Sequence, residues 1–331
     1  MKKIIKRTIT GIVILLFFAW SISLFAPKSS TIEYGVTFSA PYAESLGLDA
    51  RQAYLAVLNE LHPKYVRLSA YWDSVEPYQD HYNFSDLDFQ VSEAQKAGVQ
   101  VVLSVGRRLP RWPECHDPGW IKTLPEQQLK TAQLSYVETV VRRYLNTPNI
   151  IAWQVENEPF LSTFGICPPL DTGLLDSEIA LVKDLDFSRP VIITDSGELD
   201  WWLKAGSRGD IFGTTFYRYV FSDVLKRYWT NFYFFPFVYR VKAGLLELLH
   251  PGKRIAIMEL EAEPWTTAGI PNTPINEQFK TMSMDHFNTI VQYARETGFS
   301  PQYLWGAEWW YWMKNHDHPE FWEAAKQLFK K

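Results

Sequence analysis

Glu158 and Glu259 are the side chains whose type and setting best suit chemistry. Glu158 lies in Ile150-Ile151-Ala152-Trp153-Gln154-Val155-Glu156-Asn157-Glu158-Pro159, where a short apolar run turns abruptly acidic and stops at a proline. Such a run reads as a strand buried on both faces. A carboxylate at its end is costly to bury unless the protein uses it. Arg254-Ile255-Ala256-Ile257-Met258-Glu259-Leu260-Glu261-Ala262-Glu263-Pro264-Trp265 repeats the pattern. The stretch between the two acids has room for three strand–helix units, which puts them on the fourth and seventh of eight strands. Two carboxylates facing one cavity suit glycosidic bond cleavage, in which one acid protonates the leaving oxygen and the other attacks or assists at the sugar carbon.

The elements that would position these acids follow in turn along the chain. Tyr34 to Phe38, Tyr65 to Leu68, Val99 to Val105, Ile150 to Val155, Val191 to Thr194, Ile211 to Thr214, Arg254 to Met258 and Gln302 to Trp305 read as strands. Between them lie helical stretches. Asp49 can cap one, Ser85 can open another that Gly98 closes, and others are expected at Pro125–Leu145, Ser177–Leu185, Asn276–Thr297 and Glu320–Lys330. Eight strands alternating with helices predict a single-domain α/β fold, a (β/α)8 TIM barrel, over residues 33–331. An open doubly wound sheet is the alternative, but no Gly-rich phosphate turn follows any strand.

Asn157-Glu158-Pro159 after one strand and Glu259 ending a later one resemble the clan A glycoside hydrolases, the retaining (β/α)8 enzymes, with family 5 or the related family 42 as the nearest flavour. The resemblance spans roughly everything after residue 32. It implies Glu158 as acid/base, Glu259 as nucleophile, Tyr217 as a hydroxyl donor after strand six, and Asn157 as a partner for the sugar hydroxyl beside the reacting carbon. Arg67, ending strand two, is the candidate charge that keeps Glu259 ionised; a structural ion pair is its alternative role. Glu261 and Glu263 are rivals to Glu259, which is preferred as the first acid after the apolar run. Trp305 is expected under the sugar being cleaved, with Trp72, Trp112, Trp265 and Trp309 as candidate platforms for neighbouring sugars. The chain departs from family 5 habit in carrying Thr215 where a His is frequent, and Gly106-Arg107-Arg108 where another is usual after strand three. These changes leave substrate class open.

Composition sets further bounds. The chain has 331 residues, a net charge of −4, 47% hydrophobic residues and 14 Trp among 16% aromatics. That charge, without a long basic run, argues against a nucleic-acid partner, while flat aromatic faces suit sugar rings. No His-Glu-x-x-His, phosphate loop or serine elbow appears. No cofactor is expected, and no metal. A metal-dependent hydrolase using His116, His316 or His318 is a lesser alternative, as is a zinc site at Cys115, His116 and Cys167. Cys115 and Cys167 fall in loops after strands three and four and are a candidate disulfide.

Residues 1–27 read as a basic stub and an apolar run, Ile9 to Ala26, with 28–32 as spacer. Lys2, Lys3, Lys6 and Arg7 would stay cytoplasmic, which makes the run a transmembrane anchor and places the barrel outside. Secretion after cleavage near Ser21-Ile22-Ser23 is the alternative. The expected function is a membrane-anchored retaining glycosidase acting on a carbohydrate, with a catalytically inactive glycan-binding barrel as the alternative. The aromatic segment 217–239 is too apolar for a solvated linker. It walls a groove, lies against a membrane or covers the barrel.

Overall fold

The computed structural model describes residues 2–222, 227–230 and 235–330. Eight parallel strands close a barrel in chain order: β1 (Tyr34–Thr37), β2 (Tyr65–Ser69), β3 (Gln100–Val105), β4 (Ile150–Val155), β5 (Val191–Asp195), β6 (Ile211–Phe216), β7 (Arg254–Glu261) and β8 (Gln302–Trp305), with β8 pairing back onto β1. Alternation along each strand sorts the side chains. On β2, Val66 and Leu68 join the large core beneath the helices, while Tyr65 belongs to a second cluster inside the barrel with Val102, Ala152, Ile192, Ala256, Met258 and Tyr303. Two residues on from that apolar plug, the period-two repeat delivers Arg67 and Gln154.

Strand β7 breaks that repeat where the site needs it. Against β6 the register passes from Thr214↔Ile257 to Thr215↔Glu259, and against β8 from Gln302↔Ile257 to Leu304↔Leu260. β7 therefore carries one extra residue against both neighbours, Met258 on the β6 side. Such a bulge re-aims the side chains that follow. Met258 fills the barrel interior, Leu260 faces the helix layer, and Glu259 and Glu261 are left for the mouth. Gly213 on β6 makes room for it, since a Cβ there would lie 2.5 Å from Met258 Cγ and 2.8 Å from Thr194 Cγ2.

The helices differ from expectation in three places. The stretch expected as one helix over 276–297 is broken into Ile275–Gln278 and Met284–Thr297, because the Ser283 hydroxyl caps a fresh start by accepting from His286 N. Only the short turn Leu203–Gly206 joins β5 to β6. A helix not foreseen, Ala307–Lys314, follows β8 directly. Within the aromatic segment, Tyr219–Ser222 and Arg227–Thr230 pair as an antiparallel hairpin before the helix Pro236–Leu249. Phe232, Tyr233 and Phe234 lie outside the described residues.

A helix at Lys2–Ser23 precedes the barrel, and its Ile5–Ser23 stretch is long and apolar enough to cross a membrane. Its last turn docks on the barrel. Ser23 and Ala26 are buried, Arg240 Nη2 donates to Ser23 O at 3.1 Å, and a Cβ on Gly244 would strike Ile22 O at 2.0 Å.

Replacing Gly213 by Ala should push a methyl group into Met258 and lower stability by about 1–3 kcal/mol, the usual cost of overpacking. Thermal or urea unfolding measures it. An unchanged midpoint would mean that the Met258 bulge relaxes freely.

Candidate active site

Arg67 organises the mouth of the barrel. It is fully buried, with three directed contacts: Nε donates to Thr37 Oγ1 at 3.0 Å, Nη1 to Gln154 Oε1 at 3.2 Å and Nη2 to Glu259 Oε1 at 3.1 Å. The other Glu259 oxygen accepts from Tyr217 Oη at 2.9 Å. Glu259 is thus held between a cation and a phenol, both donating to it. Glu261 has different work: its carboxylate accepts from the backbone N–H groups of Arg218 and Tyr219 and pins the chain leaving β6. Glu263 pairs with Arg111 and accepts from Trp305 Nε1 at 2.8 Å. Among the three acids of β7 and its exit, Glu259 is the one engaged by both Arg67 and Tyr217.

Glu158 lies across the mouth, just past β4. Its backbone takes the left-handed conformation (φ 43°), as does that of Glu156 (φ 57°). Two such residues within three positions are strained and persist only where surroundings over-determine them. Glu156 supplies that constraint, accepting from Arg107 N at 2.7 Å and Arg108 N at 2.6 Å; Glu158 N donates to Thr194 Oγ1 at 2.8 Å. Burial raises the Glu158 carboxyl well above the ordinary range, and the charges of Glu259 and then Glu114 push it further. A carboxyl pushed towards its neutral form near a hydrogen-bonded acid is the kind of inequality that two-carboxylate chemistry uses.

Asn157, between these acids, has its amide fixed at both ends. Oδ1 accepts from Gln154 Nε2 at 3.1 Å and Nδ2 donates to Glu114 Oε2 at 3.2 Å. Tyr217 is itself positioned by Glu198, which accepts from Tyr217 N at 2.8 Å and Tyr239 Oη at 2.8 Å. Thr215, standing where a histidine is frequent in family 5, donates to the same Glu198 at 2.8 Å, so that position has become part of the scaffold.

The aromatic candidates divide sharply. Trp305 lies at the mouth, 8% exposed, with the Arg111 guanidinium 4.1 Å and that of Arg67 5.6 Å from its ring. Trp112 is 62% exposed and meets Phe164 edge-on at 5.8 Å; Phe164 meets Trp265, and Trp265 meets Tyr217 at 5.8 Å. Trp72 and Trp309, expected as platforms, are core residues with no exposed face. Trp72 stacks on Tyr136 and donates to Glu76, and Trp309, carried inward by the helix Ala307–Lys314, packs on Phe321 and donates to Gln278.

Cys115 and Cys167 form a disulfide with their Cα atoms 5.3 Å apart, joining the loops after β3 and β4. His116 contacts Arg111 O, and His316 stacks on Trp312. Among the described residues no group of His, Cys, Asp and Glu could hold a metal ion.

The loop after β3 holds what sequence reasoning missed. Glu114 is 3% exposed, and burial, reinforced by Glu259 and opposed by Arg108, raises its carboxyl to about 8. Arg111 and Glu198 were missed too. No periodicity marks the β3 loop, so its buried charges carried no signal. Glu198, an acid soon after a strand end, was open to the reasoning that found Glu158.

Residues 55–165, which run from before β2 to beyond Glu158, match glycosyl hydrolase family 10. A probable mannan endo-1,4-beta-mannosidase A of Aspergillus niger is 35% identical over 151 residues, covering 42% of this chain and 36% of its own length. The chain thus spans about a third of the length of that curated relative. Among solved structures, a GH5_18 protein of Bifidobacterium longum superposes with a TM-score of 0.58 at 13% identity, covering 83% of this chain and 69% of its own. Native xylanase 10B of Thermotoga maritima gives 0.52 at 15% identity, covering 83% and 82%. These structural likenesses establish the barrel fold. The sequence matches, over about a third to two-fifths of the chain, make it similar to the clan A glycoside hydrolases. The sequence match is to family 10, whereas the motifs resemble family 5 or family 42, so the clan is the level at which the two agree.

A carboxyl whose pKa rises on folding takes up protons as the chain folds, so its contribution is present below its unfolded pKa and lost as pH rises through the folded value. For Glu114 the window runs from the ordinary value of 4.5 to about 8. Unfolding midpoints should therefore fall between pH 5 and pH 8.5, and Glu114→Gln should flatten part of that fall. Parallel wild-type and variant curves would remove Glu114 from the account.

Proposed function

We propose that the protein is a retaining β-glycosidase, working by double displacement with Glu259 as nucleophile and Glu158 as acid/base. The observation that carries the proposal is the unequal treatment of the two acids. Glu259 accepts from Arg67 and Tyr217, as a nucleophilic anion requires. Glu158 is buried and pushed towards its neutral form by the very charge it faces.

In the first step a Glu259 oxygen attacks the anomeric carbon, the glycosidic C–O bond breaks, and the Glu158 proton passes to the departing oxygen. In the second, Glu158, now anionic, takes a proton from water as that water displaces Glu259, which restores both groups. Double displacement calls for carboxyl groups about 5–5.5 Å apart. Tyr217 and Arg67 stabilise the Glu259 carboxylate before it attacks and again as it departs in the second step. Asn157, its amide orientation set by Gln154 and Glu114, is aimed at the hydroxyl beside the reacting carbon, a contact that strengthens in the transition state. The relatives' names make β-linked mannan the first substrate to try, with xylan second.

The same proposal includes the anchor. The helix Lys2–Ser23 is retained as a membrane span with the barrel outside, because Ser21-Ile22-Ser23, where a cleavage would fall, belongs to the turn that docks on Gly244 and Arg240. The expected partners are thus a carbohydrate and the bilayer.

Glu158→Gln and Glu259→Gln should each lower kcat by roughly 10³-fold or more on unactivated substrates, since neither step proceeds without both carboxyls. Glu158→Gln should be milder on aryl glycosides, whose leaving groups need little protonation. In the wild type, the basic limb of the pH–rate profile should lie above the usual carboxylate range, following Glu158. Full activity in both variants would sink the proposal. Tight glycan binding with no turnover in the wild type would favour the inactive glycan-binding barrel.

A further inference from the structure

The loop after β3 crosses the mouth as a strap fastened at both ends. On the β4 side, the Cys115–Cys167 disulfide and Arg108, which donates to Leu161 O at 2.7 Å and Phe164 O at 2.9 Å, tie it to the next loop. On the far side Arg111 is clamped. Its guanidinium lies 3.7 Å from the Tyr42 ring and 4.1 Å from the Trp305 ring, pairs with Glu308 at 2.8 Å, and also pairs with Glu263. Arg111 has φ 85°, a left-handed backbone that a side chain of this size adopts only under constraint.

The direction of the substrate follows from the two acids, and here the inference rests on the hydrolase reading above. Glu158 delivers the proton, so the leaving group lies on the β4 side. The sugar that Glu259 attacks then lies towards Arg67 and Trp305. A chain continuing from that sugar's non-reducing end must run on past Trp305, towards β1 and β8. Arg111 and Tyr42 already occupy that space.

Two polar atoms at this closed end have no partner among the described residues: Arg111 Nε, a donor, and Glu263 Oε2, an acceptor. Both belong to side chains about nine-tenths buried or more (6% and 11% exposed). Leaving such atoms unmatched is costly. A donor and an acceptor on two paired side chains suit a free hydroxyl, which both accepts and donates. The hydroxyl that carries the next sugar in an internal residue is free only in a terminal one.

We infer that Arg111 is a specificity-determining residue that limits this side of the mouth to one sugar, so that the protein removes single residues from the non-reducing ends of β-linked chains rather than cutting within them.

The test begins with aryl β-glycosides of mannose, glucose, xylose and galactose to select the sugar. Reducing-end-labelled β-linked hexasaccharides of that sugar follow, one free and one whose non-reducing-end residue carries a benzyl ether cap on the hydroxyl through which the chain would continue. The wild type should first yield the labelled pentasaccharide, and the cap should slow turnover by about 100-fold or more, as expected where buried groups lose a hydroxyl partner and meet added bulk. Labelled di- or trisaccharides in the earliest samples, or equal rates with and without the cap, would overturn the inference. Arg111→Ala should admit the capped chain and release short labelled products early; a folded variant with an unchanged product ladder would count against Arg111. Should that variant not fold, the capped and free substrates still decide the matter with the wild type. No turnover of any aryl glycoside or hexasaccharide would defeat the hydrolase reading itself, a result distinct from internal cleavage.

Discussion

A guanidinium with no access to water must be matched inside the protein or it will not stay there. Arg67 is matched three ways, by a hydroxyl from β1, an amide from β4 and a carboxylate from β7. Those contacts come from strands on different sides of the barrel, so its closure and the placement of Glu259 are one problem with one solution. The apolar plug of Tyr65, Val102, Ile192, Met258 and Tyr303 below Arg67 supplies the dry floor. The acids above it then interact strongly, because water does not screen them.

The site is therefore a stack of buried charges, each made tolerable by the next. Glu259 answers Arg67, burial and then the nearby Glu259 push the Glu158 carboxyl upward, and the same two causes act on Glu114. Asn157 couples Glu114 to Gln154, and Gln154 returns to Arg67. Disturbing one member changes the proton occupancy of several, as expected for interacting titrations.

Much of this was legible in the sequence because its physics is local. Strand alternation and acid-ended apolar runs gave eight strands, the barrel and the two lead acids, since a buried strand must be apolar and its end need not be. The Met258 bulge was not legible: it is a register relation between strands, and the local pattern Ile255 to Glu261 reads equally well without it. Trp72 and Trp309 were candidate platforms by residue type, whereas helices that follow their strands turn both into the core. Arg111 and Glu114 were out of reach for another reason. Their burial comes from a loop crossing the mouth and closing on distant elements, and nothing in Gly106 to Asp117 encodes which elements those are.

The disulfide adds a dimension of place. Cys115 sits beside Glu114, and its bond to Cys167 is the covalent part of the strap's fastening on the β4 side. Thiols stay apart in a reducing cytosol and join in oxidising surroundings. With the bond open, the loop would keep Arg108's bonds to Leu161 O and Phe164 O and the Arg111 clamp, but not its covalent fastening. Under the proposed placement of the barrel outside the membrane, the cystine would act as a passport stamp, completing the mouth only after the chain has left the compartment in which a cell assembles its own sugar precursors.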